Sequence, residues 1–162
     1  MTELNENEEL KRMEAYCASA EHCRAEVTEK LVRRGVPYAM ADRIADRLEQ
    51  EHFIDEARYS RAFIHDKLRL AKWGRLKIDM ALRQKKVDPY VYRPMLNEID
   101  PEEYHNILQA LLEAKRKSIR AASDYERNGK LMRFALSRGF AADEIRRCIN
   151  FEDEVEVEEE MN

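Results

Sequence analysis

Residues 53–87 read FIDEARYSRAFIHDKLRLAKWGRLKIDMALRQKKV, and the rest of the chain is organised around them. Arg58, Arg61, His65, Arg69 and Lys72 recur at i, i+3, i+7, i+11 and i+14. At 100° per residue this set stays within roughly an 80° arc, so it forms one stripe on one helix face. Tyr59, Phe63, Ile64, Leu68 and Ala71 fall on a neighbouring arc and supply an apolar flank. Trp73-Gly74 breaks the helix. A second helix begins near Arg75, with Leu76, Ile78 and Leu82 as its expected apolar set and Arg75, Lys77, Arg83, Lys85 and Lys86 as its charge. Residues 55–88 hold ten Lys/Arg against five Asp/Glu, a local excess of five positive charges in a chain of net charge −4. A concentrated basic surface on an acidic protein points to a polyanionic or acidic partner.

Working outward, the same pattern recurs. Val27, Leu31, Gly35 and Val36 match Ile78, Leu82, Lys86 and Val87, and then Leu131, Ala135, Gly139 and Phe140, at intervals of 51 and 53 residues. An apolar helix follows each block: Met40/Ile44/Leu48, then Val91/Met95/Ile99, then Ile145/Ile149. A helix precedes each block too. The first carries Leu10, Met13, Tyr16 and Cys17, the second is the striped helix, and the third carries Ile107, Leu108, Leu111 and Leu112 behind Asp100-Pro101-Glu102-Glu103. Asp as N-cap, Pro at the first helical position and acids near the positive end of the dipole make a strong helix start. The spacing predicts an all-α chain of three tandem three-helix repeats, forming an elongated, curved array. The expected boundaries are 1–9 flexible, 10–52, 53–100 and 101–150 as repeats, and 151–162 as a disordered acidic tail with seven acids between Glu152 and Glu160. Pro94 leaves two readings of the last helix of the middle repeat, kinked or starting only there. Lys86 stands where the other repeats have Gly, so its turn is expected to be strained or of another type.

Composition agrees. With 44% apolar and 38% charged residues and only four Gly and four Pro, the chain favours helix over sheet. No apolar run reaches membrane-spanning length and the N-terminus lacks a secretory pattern, so a cytoplasmic protein is expected. Cys17, Cys23 and Cys148 lack CxxC spacing and read as half-buried thiols, neither disulfides nor metal ligands. No Gly-rich phosphate loop, metal cluster or paired nucleophile and base is present, so no catalytic residue, metal or cofactor is expected, and the protein reads as non-enzymatic.

Phe53-Ile54-Asp55-Glu56-Ala57-Arg58-Tyr59, Lys72-Trp73-Gly74, and Lys130-Leu131-Met132-Arg133-Phe134 with Arg138-Gly139-Phe140, in this order, resemble the bacterial RecX family over residues 24–150. The resemblance implies three three-helix repeats and a negative modulator of the recombinase RecA. Such a protein binds RecA–single-stranded DNA filaments in their groove and suppresses strand exchange, ATP hydrolysis and coprotease activity. Three places depart from the family pattern: Glu21-His22-Cys23, Lys85-Lys86 and the acidic tail. The expected partners are RecA and its filament, with weak DNA binding through the basic face, no membrane, and a monomeric state. The candidate contacts are Arg58, Arg61, Arg69, Lys72, Arg75, Lys77, Arg83, Lys85 and Lys86, continued by Arg116, Arg120, Arg127, Lys130 and Arg133. One concave basic surface from the second repeat to the third is expected, with the first serving more as a protein contact. Two competing classes remain. One is a helix-turn-helix-like, sequence-specific regulator, for which Arg75 and Lys77 stand where base-reading side chains would be needed. The other is a pure protein adaptor.

Overall fold

The turns expected at Gly35, Lys86 and Gly139 close three helices in the same manner. In the computed structural model, which describes residues 5–149, the described residues form nine helices and no strand. They are α1 (Glu6–Ser19), α2 (Arg24–Arg33), α3 (Tyr38–Gln50), α4 (Glu56–Arg69), α5 (Arg75–Gln84), α6 (Pro89–Asn97), α7 (Pro101–Ser118), α8 (Asp124–Ser137) and α9 (Ala142–Cys148). After α2, Gly35 N–H donates to the Val32 carbonyl and Val36 N–H to that of Leu31, at 2.9 and 3.0 Å. After α5, Lys86 and Val87 donate to Arg83 and Leu82; after α8, Gly139 and Phe140 donate to Leu136 and Ala135. This is the Schellman motif three times over, and each time the residue past the turn (Val36, Val87 or Phe140) is buried. Gly35 and Gly139 adopt φ 91 and 94°, and Lys86 adopts φ 60°. The turn type is therefore kept at Lys86 and the strain is accepted.

Two compact units are present. Among the described residues, unit 1 takes 5–63 and 81–94, and unit 2 takes 64–80 and 95–149, so α4, α5 and α6 each contribute to both. In unit 1, α1 and α2 pack on α3. Met13, Cys17, Val27, Leu31, Val36, Ile44, Leu48 and Ile54 form its core. In unit 2, α7, α8 and α9 pack against one another over Leu108, Leu112, Leu131, Ala135, Phe140 and Ile145. Each fully buried Leu, Ile or Phe contributes about 2 kcal/mol relative to exposure.

Several expectations need correction. The chain is helical from Glu6, not from Leu10. Asn5 caps α1 by accepting from Asn7 N–H at 3.0 Å, and Glu6, Glu8 and Glu9 occupy the first turn. Glu9, within the segment expected to be flexible, is only 4% exposed, and Arg34 grips both its oxygens at 3.0 and 3.1 Å. That hydrogen bonding holds the Glu9 carboxyl below the usual range. Leu76 is 61% exposed instead of forming core. α6 starts at Pro89 and runs through Pro94, which settles the choice left open there. The acidic segment at 151–162 lies outside the described residues, as do residues 1–4.

In unit 2 the Trp-Gly and Arg-Gly-Phe sequences meet. Gly74 N–H donates to the Arg138 carbonyl at 2.7 Å, and Leu76 N–H to that of Gly139 at 3.1 Å. A Cβ on Gly74 would fall on the Gly139 carbonyl group and within 2.6 Å of Phe140 N. A Cβ on Gly139 would lie 2.5 Å from Lys77 N. Replacing Lys86 by Gly should therefore raise stability by about 1 kcal/mol, because it removes the left-handed penalty. Gly74→Ala should lose about 2 kcal/mol or more, because rigid backbone must move. Denaturant midpoints of the two variants check both signs.

Candidate nucleic-acid interface

The fourteen candidate cations divide evenly by what they touch. Seven are engaged within their own unit. In unit 1, Arg58 at the start of α4 pairs with Glu21 and also donates to the His52 and Phe53 carbonyls. Lys85 lies 3.8 Å from Glu26. In unit 2, Arg69 pairs with Glu103 at 2.6 Å, and Arg75 with Glu144 at 3.3 Å. Arg127 and Lys130 pair along α8 with Asp124 and Glu126 at 3.0 and 3.3 Å. The Lys77 ammonium sits 4.5 Å from the centre of the Trp73 ring, with Lys67 at 4.7 Å on the same residue. Trp73 is half-buried and serves as a seat for two lysines.

Arg75 is the most committed of these. Its guanidinium lies 3.9 Å from the Tyr104 ring centre, and its Nε donates to the Leu96 carbonyl at 2.9 Å. Its backbone N–H donates to the Tyr104 hydroxyl at 3.0 Å. Burial raises the Tyr104 hydroxyl above its ordinary pKa, so the ring stays neutral beside the cation. Arg24 plays the matching part in unit 1. It pairs with Asp42, Asp46 and Glu49 of α3, and its backbone N–H donates to Glu56 at 3.4 Å. Reading from sequence missed Arg24 as a brace; the signal was its place as first residue of α2, matching Arg75 in α5.

The other seven, Arg61, Lys72, Arg83, Lys86, Arg116, Arg120 and Arg133, are exposed, and their side chains make no ion pair among the described residues. Arg61, Arg83 and Lys86 belong to unit 1 and the remaining four to unit 2. Lys72 and Lys86 both sit at positive φ, 59 and 60°, just beyond the ends of α4 and α5. Two more unit 2 arginines bear on the interface. Arg146 of α9, which sequence reading passed over, lines a groove with Tyr125 and Arg133. Arg138 is engaged, lying 5.1 Å from the Phe134 ring centre.

The thiols behave as ordinary buried groups. Burial pushes Cys17 up to about 11 and Cys23 up to about 12. Cys148 is half-buried and lies 3.6 Å from His105 Nδ1, and burial raises it too. No group of three or more His, Cys, Asp or Glu among the described residues could hold a metal ion. No helix among them is long and apolar enough to cross a membrane.

The division of cations has a measurable consequence. Arg75→Ala should lose about 2 kcal/mol, since it strands Glu144 and the Leu96 carbonyl. Arg83→Ala should stay within about 0.5 kcal/mol of the parent protein. Thermal or urea unfolding of the two variants tests the distinction.

Comparison with known proteins agrees with this architecture. The model of the second three-helix domain of RecX matches residues 55–93, and that of the third three-helix domain matches residues 102–149. The regulatory protein RecX of Clostridium botulinum (strain Eklund 17B / Type B) is 32% identical over 133 residues, covering 78% of this chain and 62% of that protein. That of Herminiimonas arsenicoxydans is 30% identical over 141 residues, covering 87% and 90%. The chain spans about three fifths of the length of the Clostridium botulinum and Clostridium tetani relatives, 62% and 58%. The crystal structure of RecX from Lactobacillus salivarius shares the fold with a TM-score of 0.76, at 19% identity, over 91% of this chain and 96% of that one. A second crystal structure, of a regulatory protein RecX, gives 0.81 at 18% identity over 91% and 78%. Two family domains over more than half of the chain, and a relative matched over nearly its whole length, make this chain a member of the RecX family of regulatory proteins.

Proposed function

We propose that this chain is a non-enzymatic negative modulator of RecA in the cytoplasm. It binds RecA–single-stranded DNA filaments and inhibits their recombinase, ATPase and coprotease activities, and so regulates recombination, repair and the SOS response. Family membership supports the RecA-related role. The observation that carries the reading is the set of seven exposed cations that make no ion pair among the described residues, on a chain of net charge −4. Phosphates of a filament-bound strand, or acids of the recombinase, neutralise these cations without first breaking an internal pair. Release of counterions then makes binding salt-dependent. The repeats 10–52, 53–100 and 101–150 act as the working modules, and bridging neighbouring recombinase subunits blocks subunit addition or the motion needed for strand exchange.

The sequence-specific regulator is the weaker reading, for a specific reason. Its base readers would have been Arg75 and Lys77 at the start of α5. Both are engaged inside unit 2, and the residue between them is an exposed leucine. A helix presenting Leu76 and Met80 at that end has few hydrogen-bonding groups for base edges.

Cosedimentation with RecA, with and without single-stranded DNA and a nucleotide, tests the proposal. The chain should pellet with the filament, and much less with RecA alone. Reversing Arg61 and Lys72 to Glu should weaken inhibition of the RecA ATPase about tenfold or more, with the helical spectrum unchanged. The salt slope should fall by about 0.7 for each strand phosphate that the variant no longer neutralises. Full inhibition by the double variant removes the free cations from the mechanism.

A further inference from the structure

Unit 2 carries an open groove of about 400 Å³ between α8 and α9, lined by Tyr125, Gly129, Met132, Arg133 and Arg146 among others. Its lining is unusual in three ways. Tyr125, in the first turn of α8, presents its ring to solvent at 78% exposure. Arg133 and Arg146 are exposed, and neither makes an ion pair among the described residues. Gly129 sits inside α8, where glycine is the poorest helix former after proline. Packing within the protein does not account for it: an added Cβ would meet only the Arg133 Nη1 atom, at 3.7 Å. The missing side chain leaves the wall of the groove low, beside an aromatic face and two guanidinium groups.

We infer that this groove seats one nucleotide of a single strand, its base against Tyr125 and Met132 and its phosphate between Arg133 and Arg146. The proposal rests on the filament-binding reading and assigns the strand contact within it. Glu126, also in the groove, is an ionised carboxylate whose charge is offset by Lys130. It pairs with Lys130 at 3.3 Å and accepts from the Ala122 N–H at 3.1 Å. The Ala122 bond, and then Lys130, hold its carboxyl below the usual range. A flat ring joined to a phosphate matches an aromatic and apolar wall next to paired cations. An acidic peptide would engage the arginines but leave the Tyr125 face and Met132 without a matching group.

The test is fluorescence anisotropy of a labelled oligothymidylate with the full chain, run alongside an oligoglutamate probe and filament cosedimentation. Gly129→Leu fills the groove with a better helix former, so it should keep or raise the melting temperature. It should weaken oligothymidylate binding about tenfold, within the range that stacking on one aromatic ring contributes. Tyr125→Ala should do the same, and Tyr125→Phe should retain binding. Parent affinity in both Gly129→Leu and Tyr125→Ala, with filament cosedimentation intact, overturns the seat alone. Oligoglutamate bound more tightly than oligothymidylate, and released by the same variants, also overturns it in favour of an acidic peptide. Failure of the parent protein to pellet with the filament defeats the wider reading instead.

Discussion

A helix start and a helix end complete one another in unit 2, and the rest of that unit is built on their contact. The first amides of α5 have no acceptor inside their own helix, and the last carbonyls of α8 have no donor inside theirs. The Gly74 and Leu76 N–H groups donate to the Arg138 and Gly139 carbonyls. The positive end of one helix dipole thus meets the negative end of another. Only glycine at both positions lets the backbones come this close. Unit 1 has a weaker version of the same arrangement, in which the Cys23 thiol at the N-cap of α2 donates to the Lys85 carbonyl at the end of α5, at 3.8 Å.

This contact also fixes which cations are available. Arg75 begins α5 beside the two backbone bonds and is drawn into a cage of Tyr104, Glu144 and the Leu96 carbonyl. Arg24 is likewise absorbed by three acids of α3. An arginine used as a brace cannot also neutralise a phosphate without leaving a carboxylate stranded. The cations left over lie on exposed helix surface, such as Arg61 and Arg133 in mid-helix and Arg83 in the last turn of α5, or just past helix ends, as Lys72 and Lys86 do. Scaffold and recognition thus draw on the same residue types but on different positions.

Much of the fold was legible because it is local. The interval between Gly35, Lys86 and Gly139 marks three identical turns, and Asp100-Pro101 marks the start of α7. Leu76 was misread for a physical reason. It stands two residues before Ile78, which places it roughly 200° around the helix from the buried row of Ile78 and Leu82. The division of the cations was only partly legible: Arg127, Lys130 and Lys77 engage residues three or four positions away, but the partners of the others are distant in sequence. Arg75 and Glu144 are separated by 69 residues, Arg58 and Glu21 by 37, and Arg69 and Glu103 by 34. The basic stripe holds as helical geometry from Arg58 to Arg69, but α4 ends there, so Lys72 at φ 59° lies off the helix, and the stripe was overcounted as free charge. The groove at Tyr125 was not legible because, although Tyr125, Gly129, Met132 and Arg133 share one face of α8, Arg146 joins them from another helix.

The amide exchange of Gly74 and Leu76 measures the central contact directly. If the start of α5 is held by the α8 end, both amides exchange only with the global opening of unit 2, as slowly as those inside α8. Exchange at the rate of an open loop, while the α8 amides remain protected, would contradict the account.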